Sequence, residues 1–443
     1  MKSNIKLVIL DDDPTGIQTV KGCKLITCWD EDTVRMALND EVPFFYILTN
    51  TRAMTREDAA RVTREAMEAV LKVQSVECKV QGAGFKVHFI SRSDSCLRGH
   101  FPLETDVIRQ VLKEHGIKVW DKTPFIPAFI EAGRVTIDGV HYMKVQSRET
   151  RDERLIPVSE TEFARDNVFG YSTSVLCDYI MEKGANPDDY EIVDAQSYDE
   201  LNAYCKQLLE QTANFDGSVV IRSSSSLPKA MSDHLRFSNL QFTTDDTNPA
   251  ENGIPIVDSK WENSKLPGLF VVGSHVKKTT EQLAELLRCP GVRGMEIDVE
   301  RILNDDAGYM DEIVGDLANG QQPTTNPQPP TTTTFVLYTS RKEIRIDDAD
   351  KRQHLGQQIS DFLVDIVRHL PFIPSYLVAK GGITSNDILT KGLGIKIATV
   401  MGQVIKNVPC VMTEHFPYII FPGNVGDKDS LAELYTVLKR MGE

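Results

Sequence analysis

The sequence predicts an α/β protein of two domains, each with a largely parallel sheet flanked by helices. Three observations lead there. Short apolar runs of strand length alternate with amphipathic stretches of helical period along most of the 443 residues. That length is more than one hydrophobic core usually serves. The alternation breaks near residue 240, where "QFTTDDTNPAENGIPIVDSKWENSKLPG" is polar, rich in Pro, Gly and Asn, and without period. Domains are therefore expected at 1–240 and 267–443, joined by a linker over 241–266.

Taken in order, "LVIL" at 7–10 is a buried strand that runs out into Asp11, Asp12 and Asp13. "FFYILTNTR" is a second strand. The stretch "TREDAARVTREAMEAVLKV" after it is a helix, with Thr55 as N-cap and Asp58 three residues on. "KVHFISRSDS" is a third strand, leading to the helical "ETDVIRQVLKEHG". "VTIDGVHY" differs: two β runs flank Asp138-Gly139, a pair that favours a tight hairpin, adding an antiparallel feature to the sheet. Beyond the linker the alternation resumes in "LFVVGSHVKKTTEQLAELL", "TFVLYTSR", "SYLVAKGGITSNDILTKGL" and "YIIFPGNVGDKDSLAELYTVL". "NGQQPTTNPQPPTTTT" within that half is of low complexity. It is expected to be a mobile surface insertion over about 319–334.

Composition excludes several function classes. The chain is 41% hydrophobic and 26% charged, as globular proteins are. Its net charge of −15 opposes nucleic acid and anionic membrane as partners. The sequence offers no apolar run long enough for a membrane span. "MKSNIKLVIL" has too short an apolar stretch for a signal peptide, so a cytoplasmic location is expected. The eight cysteines are scattered, without a Cys-x-x-Cys pair or zinc spacing, which suits reduced thiols.

In open α/β sheets, ligands bind outside the carboxyl ends of the strands. Asp11 to Asp13 fall at such an end, followed by Pro14-Thr15-Gly16. Adjacent carboxylates repel one another unless cations or hydroxyl donors compensate. They can accept bonds from sugar hydroxyls, serve as general base, or hold a metal. Two other strand ends carry the opposite charge. Arg52 follows its strand, and one loop holds Arg92, Asp94, Ser95, Arg98 and Gly99. Arginine grips carboxylate or phosphate through its planar fork. Several Asp with two or three Arg suit a small, hydroxyl-rich anion. Arg134 is a weaker candidate, His100 reads as a loop residue packed beside Arg98, and Cys96 lacks an activating base.

The second half has neither the G-x-x-x-x-G-K-[ST] nor the G-x-G-x-x-G pattern. It has instead glycine turns between strand and helix: Gly273-Ser274, Gly381-Gly382 before Thr384, and Gly423 to Gly426. Such turns let backbone N–H groups approach a phosphate, and Lys380 would add a point charge.

In these motifs the chain resembles the four-carbon acid sugar kinase family. The resemblance covers nearly the whole chain. Asp12-Asp13-Pro14-Thr15-Gly16 matches the family's Asp-Asp-x-Thr-Gly motif. Asp94-Ser95-Cys96-Leu97-Arg98-Gly99 matches Asp-Ser-Thr-Leu-Arg-Gly, with Cys96 in place of Thr. Pro127 to Arg134 corresponds to a Pro-Ala-Phe segment leading to Gly-Arg. Gly273-Ser274 and Gly381-Gly382-Ile383-Thr384 match the family's Gly-Ser and Gly-Gly-x-Thr turns, and Gly402 and Gly423 to Gly426 its later glycine turns.

The resemblance implies a sugar-acid-binding N-terminal domain and an ATP-binding C-terminal domain, with the active site in the inter-domain cleft. The implied activity is phosphorylation of a hydroxyl of a four-carbon acid sugar of the threonate, erythronate or 3-oxo-tetronate type. It implies Asp12 and Asp13 as catalytic residues, and Arg52, Asp94, Ser95, Arg98 and Gly99 as substrate contacts. Ser274, Gly381, Gly382, Ile383, Thr384, Gly402, Gly423 and Asn424 are the implied nucleotide contacts. ATP and Mg²⁺ are the implied cofactors, with the metal ligands unassigned; a homodimer stays open. Phe421-Pro422 stands where relatives often have Lys before the last glycine turn. That departure leaves a non-catalytic sugar-acid or nucleotide sensor as a rival, alongside a phosphosugar isomerase or aldolase that uses the Asp/Arg site without ATP.

Overall fold

Leu7, Val8, Ile9 and Leu10 are all buried, as a central strand covered on both faces requires. In the computed structural model, which describes residues 5–81, 85–146, 153–235, 266–320, 333–341 and 349–442, the chain divides into two units, Met1–Thr243 and Thr244–Glu443. Residues 241–265 of the expected linker and 321–332 of the expected insertion lie outside the described residues.

The strands of the first unit are β1 (Ile5–Asp11), β2 (Lys24–Ile26), β3 (Phe44–Leu48), β4 (Lys86–Arg92), β5 (Thr123–Ile126), β6 (Arg134–Ile137), β7 (Val140–Gln146), β8 (Glu153–Pro157), β9 (Tyr190–Ile192) and β10 (Val220–Ser223). Seven of them run in the order β2-β3-β1-β4-β10-β5-β9, and each neighbouring pair is parallel. The connecting helices are α1 (Glu31–Asn39), α2 (Arg56–Gln81), α3 (Leu103–Glu114), α4 (Leu176–Glu182), α5 (Tyr198–Thr212) and α6 (Ser226–His234). Helix α2 shows why the sequence reads as it does. Ala59, Val62, Ala66, Val70 and Val73, three or four residues apart, are buried, so one stripe faces the core. The Thr55 hydroxyl accepts from the Asp58 N–H at 3.2 Å and caps its start.

The Asp138-Gly139 hairpin forms, with both residues at positive φ, 49° and 72°. It does not add to the main sheet. Strands β6, β7 and β8 make a separate three-stranded antiparallel sheet. The turn's two N–H groups are taken by the Asp194 carboxylate at 3.0 and 2.9 Å, and a short, edge-bound β pair needs such partners of its own.

The second unit contains β11 (Gly268–Val272), β12 (Val292–Ile297), β13 (Thr334–Thr339), β14 (Leu377–Lys380), β15 (Ile397–Ile405), β16 (Val408–Met412) and β17 (Pro417–Phe421). Its helices are α7 (Lys277–Leu286), α8 (Val299–Leu303), α9 (Tyr309–Asn319), α10 (Ala349–Arg368), α11 (Gly382–Asp387) and α12 (Ser430–Gly442). The strand order is β12-β13-β11-β14-β17-β16-β15. The first five strands are parallel, and the β17-β16-β15 end is antiparallel. Val272, Val336, Val378, Ile419 and Phe421 meet Leu283, Leu431 and Leu434 of α7 and α12 in one core. None of the described cysteines is in a disulfide, and no described helix is long and apolar enough to cross a membrane.

Candidate functional site

The carboxyl ends of β1, β3 and β4 lie side by side, Asp11 pairing with Leu48 and Arg92. Each of the three aspartates has a different place there. Asp11 is wholly buried and accepts from Arg92 Nη1 at 3.0 Å. The chain then folds back over it. A methyl group on Gly16 would lie 2.0 Å from Asp11 Oδ2, so only glycine fits at that point of the motif. Burial pushes the Asp11 carboxyl up to about 7, against the pull of Arg92. Asp12, its side chain 2% exposed, holds Arg52, with Nε at 3.1 Å and Nη2 closer, and accepts from the Ser93 hydroxyl. Asp13, 21% exposed, accepts from Arg52 Nη1 at 3.4 Å and from the Thr15 N–H at 2.8 Å. Burial alone would raise its carboxyl, but Arg52 and Thr15 outweigh burial and hold it low. Asp13 is therefore the carboxylate of the three that a ligand can reach.

Arg92, expected in the loop, is instead the last residue of β4. It is buried, and its second nitrogen donates to the Ser225 hydroxyl at 2.7 Å. Arg98 grips Asp94 through Nε at 2.8 Å and Nη2 at 3.2 Å, and stacks 4.9 Å from the Phe163 ring centroid. Arg52 Nη1 lies 3.8 Å from Asp94 Oδ1, which joins the two loops into one network. Burial works against ionisation of Asp94, yet Arg52 and Arg98 hold it far below the ordinary carboxylate range. Gly99, at φ 123°, packs where a methyl group would meet Ser93 Oγ at 2.4 Å and Asp12 Oδ2 at 3.0 Å. Ser95 is buried, and its carbonyl accepts from His141 Nε2 at 2.8 Å. The structure thus brings Asp12, Asp13, Arg52, Asp94, Arg98 and Gly99 together.

The flanking residues take other places. Arg134 turns its Nη1 to the Ala132 carbonyl. His100 packs edge-on against Phe169, 4.9 Å between centroids. The Cys96 thiol is buried and pushed up to about 11 by that burial, which is no state for a nucleophile.

The second unit's site is built of backbone. Its turns follow β11, β14 and β17. A methyl group on Gly273 would lie 2.3 Å from Thr384 Oγ1, and one on Gly423 3.5 Å from Ser274 Oγ. A methyl group on Gly381, at φ 119°, would lie 3.4 Å from both Ser274 Cβ and Thr384 Oγ1. Ser274, Gly381, Thr384 and Gly423 therefore converge, and Gly382 opens α11 beside them. Ser274 and Thr279 share a hydroxyl bond at 3.0 Å, and Thr279 donates to the Gly423 carbonyl at 3.2 Å. Lys278 donates to the Asn424 carbonyl at 2.9 Å. Arg341, just past β13, donates to the Ser274 carbonyl at 2.6 Å. Ile383 projects outward, 61% exposed. Gly402 is in no strand-to-helix turn: it sits at a bulge inside β15, at φ 93°.

Lys380 is not the point charge that the sequence suggested. It is wholly buried, and its ammonium donates to the carbonyls of Pro422 and Gly423 at 2.6 and 3.2 Å. Burial lowers it to about 7, with Lys278 adding to the shift. It stands opposite Phe421 in the sheet, with Nζ 4.0 Å from the Phe421 ring centroid. A lysine does serve the last glycine turn, supplied from the neighbouring strand, and Phe421 is the core residue beneath it.

Sequence reasoning missed the end of β10. Arg222 and Ser223 end β10, and Ser224 and Ser225 lead to Ser226 at the start of α6, a polar run at the end of an apolar strand like those at β1 and β4. All five are buried. Glu104 was missed as well. It is buried, accepts from Thr51 Oγ1 at 2.5 Å, and is pushed up to about 7 by burial and by the Asp12 charge.

Two strand-end sites, one of paired charges and one of converging main-chain turns, define a two-domain α/β protein. Comparison with known proteins gives this class its family. A model of a sugar-binding N-terminal domain matches residues 7–221, and one of a nucleotide-binding C-terminal domain matches residues 269–431. The chain belongs to the family that joins these two domains, the four-carbon acid sugar kinase family. Among solved structures it is similar to a Haemophilus influenzae protein of the DUF1537 family. The identity is 16%, the coverage 98% of this chain and 100% of the other, and the TM-score 0.60. It is also similar to a Salmonella typhimurium LT2 protein that carries a provisional tRNA synthase name, at 17% identity, 99% coverage of both chains and TM-score 0.66. At such identities the likeness shows the shared fold alone. No curated protein matches the chain.

Proposed function

We propose that this protein is an ATP-dependent kinase that phosphorylates a hydroxyl of a four-carbon acid sugar of the threonate, erythronate or 3-oxo-tetronate type. The observation that carries the reading is the pairing of chemistries. The sugar-binding domain gathers carboxylates and guanidiniums at its strand ends, and the nucleotide-binding domain gathers Gly273, Ser274, Gly381, Thr384 and Gly423 at its own. Carboxylates suit sugar hydroxyls, guanidiniums suit the acid group, and closely packed backbone turns suit phosphates.

Phosphoryl transfer asks a protein mainly for positioning and charge stabilisation. Asp13, the reachable carboxylate, would accept the attacking hydroxyl's hydrogen bond and fix its direction. Asp12 would keep Arg52 in place, and Asp94 with Ser95, Arg98 and Gly99 would shape the loop around the substrate. Ser274, Gly381, Gly382, Ile383, Thr384, Gly423 and Asn424 would face the nucleotide; Gly402, inside β15, would act at most through the strand it bends. Among the described residues no group of three His, Cys, Asp or Glu is placed to hold a metal ion, and Asp12, Asp13 and Asp94 are committed to arginines. The donor set does not fit a resident cation. A Mg²⁺ would arrive on the nucleotide phosphates with its own waters.

The sensor reading loses its motive, since Phe421 is a buried core residue and Lys380 occupies the turn. The test is ADP release measured with a panel of tetronates. Turnover with at least one, and its loss in Asp13→Asn with nucleotide affinity retained, is the expected result. An Asp13→Asn enzyme with normal turnover would falsify the assigned role, and release of ADP with no tetronate would remove the kinase reading.

A further inference from the structure

Four buried polar atoms at the ends of β1, β4 and β10 have no hydrogen-bond partner among the described residues: Asp11 Oδ2, Arg92 Nε, Arg222 Nη1 and Ser224 Oγ. Buried polar groups are nearly always paired, and each unpaired one costs stability. Arg222 is the most conspicuous of the four because, unlike Arg92, its guanidinium has no carboxylate in ion-pair contact among the described residues. It is 4% exposed, and a buried guanidinium without an anion is a costly arrangement.

The other three arginines of the cluster have carboxylates within 4 Å. Arg52 has Asp12, Asp13 and Asp94; Arg92 has Asp11 and Asp12; Arg98 has Asp94 and Asp166. The Arg222 side chain makes no hydrogen bond or ion pair with another described residue. Its guanidinium lies 5.9 Å from the Phe101 ring centroid. A methyl group on Gly99 would lie 3.7 Å from Arg222 Nη2, 3.0 Å from Asp12 Oδ2 and 2.4 Å from Ser93 Oγ. Arg222 and Asp12 therefore flank the same glycine, which belongs to the loop that the sugar-acid reading places at the substrate. Glu104 is a carboxyl group that feels the Arg222 charge. It is held instead by Thr51 and Ser91, at 2.5 and 3.4 Å.

We infer that Arg222 is the residue that takes the carboxylate of the sugar acid, in preference to Arg52 or Arg98, whose charges are already answered by aspartates. The inference rests on the sugar-acid reading and makes it sharper. A monovalent carboxylate satisfies the fork of Arg222 and supplies the anion that its pocket lacks. Ser224, just past the end of β10, has a buried hydroxyl without a partner among the described residues, a donor for the second oxygen.

The test is calorimetric titration of the full chain with erythronate and with threonate, in the absence of nucleotide. The wild type should bind at least one of them. Arg222→Gln should bind it at least tenfold more weakly, with ATP affinity unchanged. Arg222→Lys, which keeps the charge but not the fork, should recover part of the loss. Wild-type affinity in both variants overturns the inference and leaves the kinase reading standing. If both variants unfold, Arg222 is a structural residue and the inference falls in the same way. A wild type that binds neither acid overturns the sugar-acid reading itself, and this inference with it.

Discussion

The two units place their sites at the same topological position, the carboxyl ends of parallel strands, yet build them from opposite materials. In the first unit three neighbouring strands run out into charge: Asp11 to Asp13 at the end of β1, Arg52 past β3, Asp94 and Arg98 past β4. These side chains are buried enough that each charge depends on another. In the second unit three neighbouring strands run out into glycine: Gly273 past β11, Gly381 past β14, Gly423 past β17. The turns approach one another until a single methyl group would not fit at Gly273. Electrostatic pairing holds the first site, and the absence of side-chain volume holds the second. The same scaffold position therefore offers paired charges in one half and backbone amides in the other.

The contrast can be broken most forcefully at Arg52. Arg52→Met leaves Asp12 buried beside Asp13 and Asp94 with their shared cation gone. Removing one partner of a buried ion pair costs about 3–5 kcal/mol, and urea denaturation should show a loss of that size. Tetronate binding should vanish with it, while a nucleotide analogue should still bind. Wild-type stability in this variant would mean that the charges are not holding the first site together.

The matching change in the second unit is steric and smaller. Gly273→Ala drives a methyl group to 2.3 Å from Thr384 Oγ1. Overpacking of this kind costs about 1–3 kcal/mol, and nucleotide affinity should fall as the turn is displaced. Adding Thr384→Ala removes the clashing atom, so the double variant should recover stability that the single one lost. Strict additivity of the two substitutions would show that the turns are not in the contact described.

This difference in materials also explains what could be read from the sequence. The alternation of strand and helix, the two-domain α/β class, the Thr55 cap and the Asp138-Gly139 turn are local signals, and local chemistry fixes them. Glycines between a strand and a helix advertise close backbone approach, so the convergence of Gly273, Gly381 and Gly423 is legible in kind. Pairings across the sheet are not. That Arg92 turns to Asp11, or that Lys380 buries its ammonium under the Pro422 carbonyl, depends on which strands become neighbours. The hairpin shows the same limit: its turn is readable, its membership of a separate sheet is not. The serines after Arg222 carry the right signature but no charge pattern, and for that reason they do not stand out.

The finest distinction between the two sites is the direction in which each titrates. Burial, with the Asp12 charge second, raises Glu104 from 4.5 to about 7. Between pH 4.5 and 7 the folded protein keeps a proton that the unfolded chain has released, so this group's contribution to stability falls as pH rises through that window. Lys380 is the reverse. Burial, with Lys278 second, lowers it from 10.5 to about 7. Between pH 7 and 10.5 the unfolded chain keeps a proton that the folded protein has lost, so stability from this group rises with pH. Each slope is at most ~1.4 kcal/mol per pH unit. Other groups titrate in both windows, and the quantity to measure is therefore wild type minus variant. Glu104→Gln should flatten the acid-side fall and leave the alkaline side alone. Lys380→Met should flatten the alkaline rise and leave the acid side alone. Urea midpoints recorded from pH 4.5 to 10 for the three proteins give both difference curves. If the two curves slope the same way, the opposition between a carboxylate kept protonated in one unit and an ammonium kept neutral in the other does not exist.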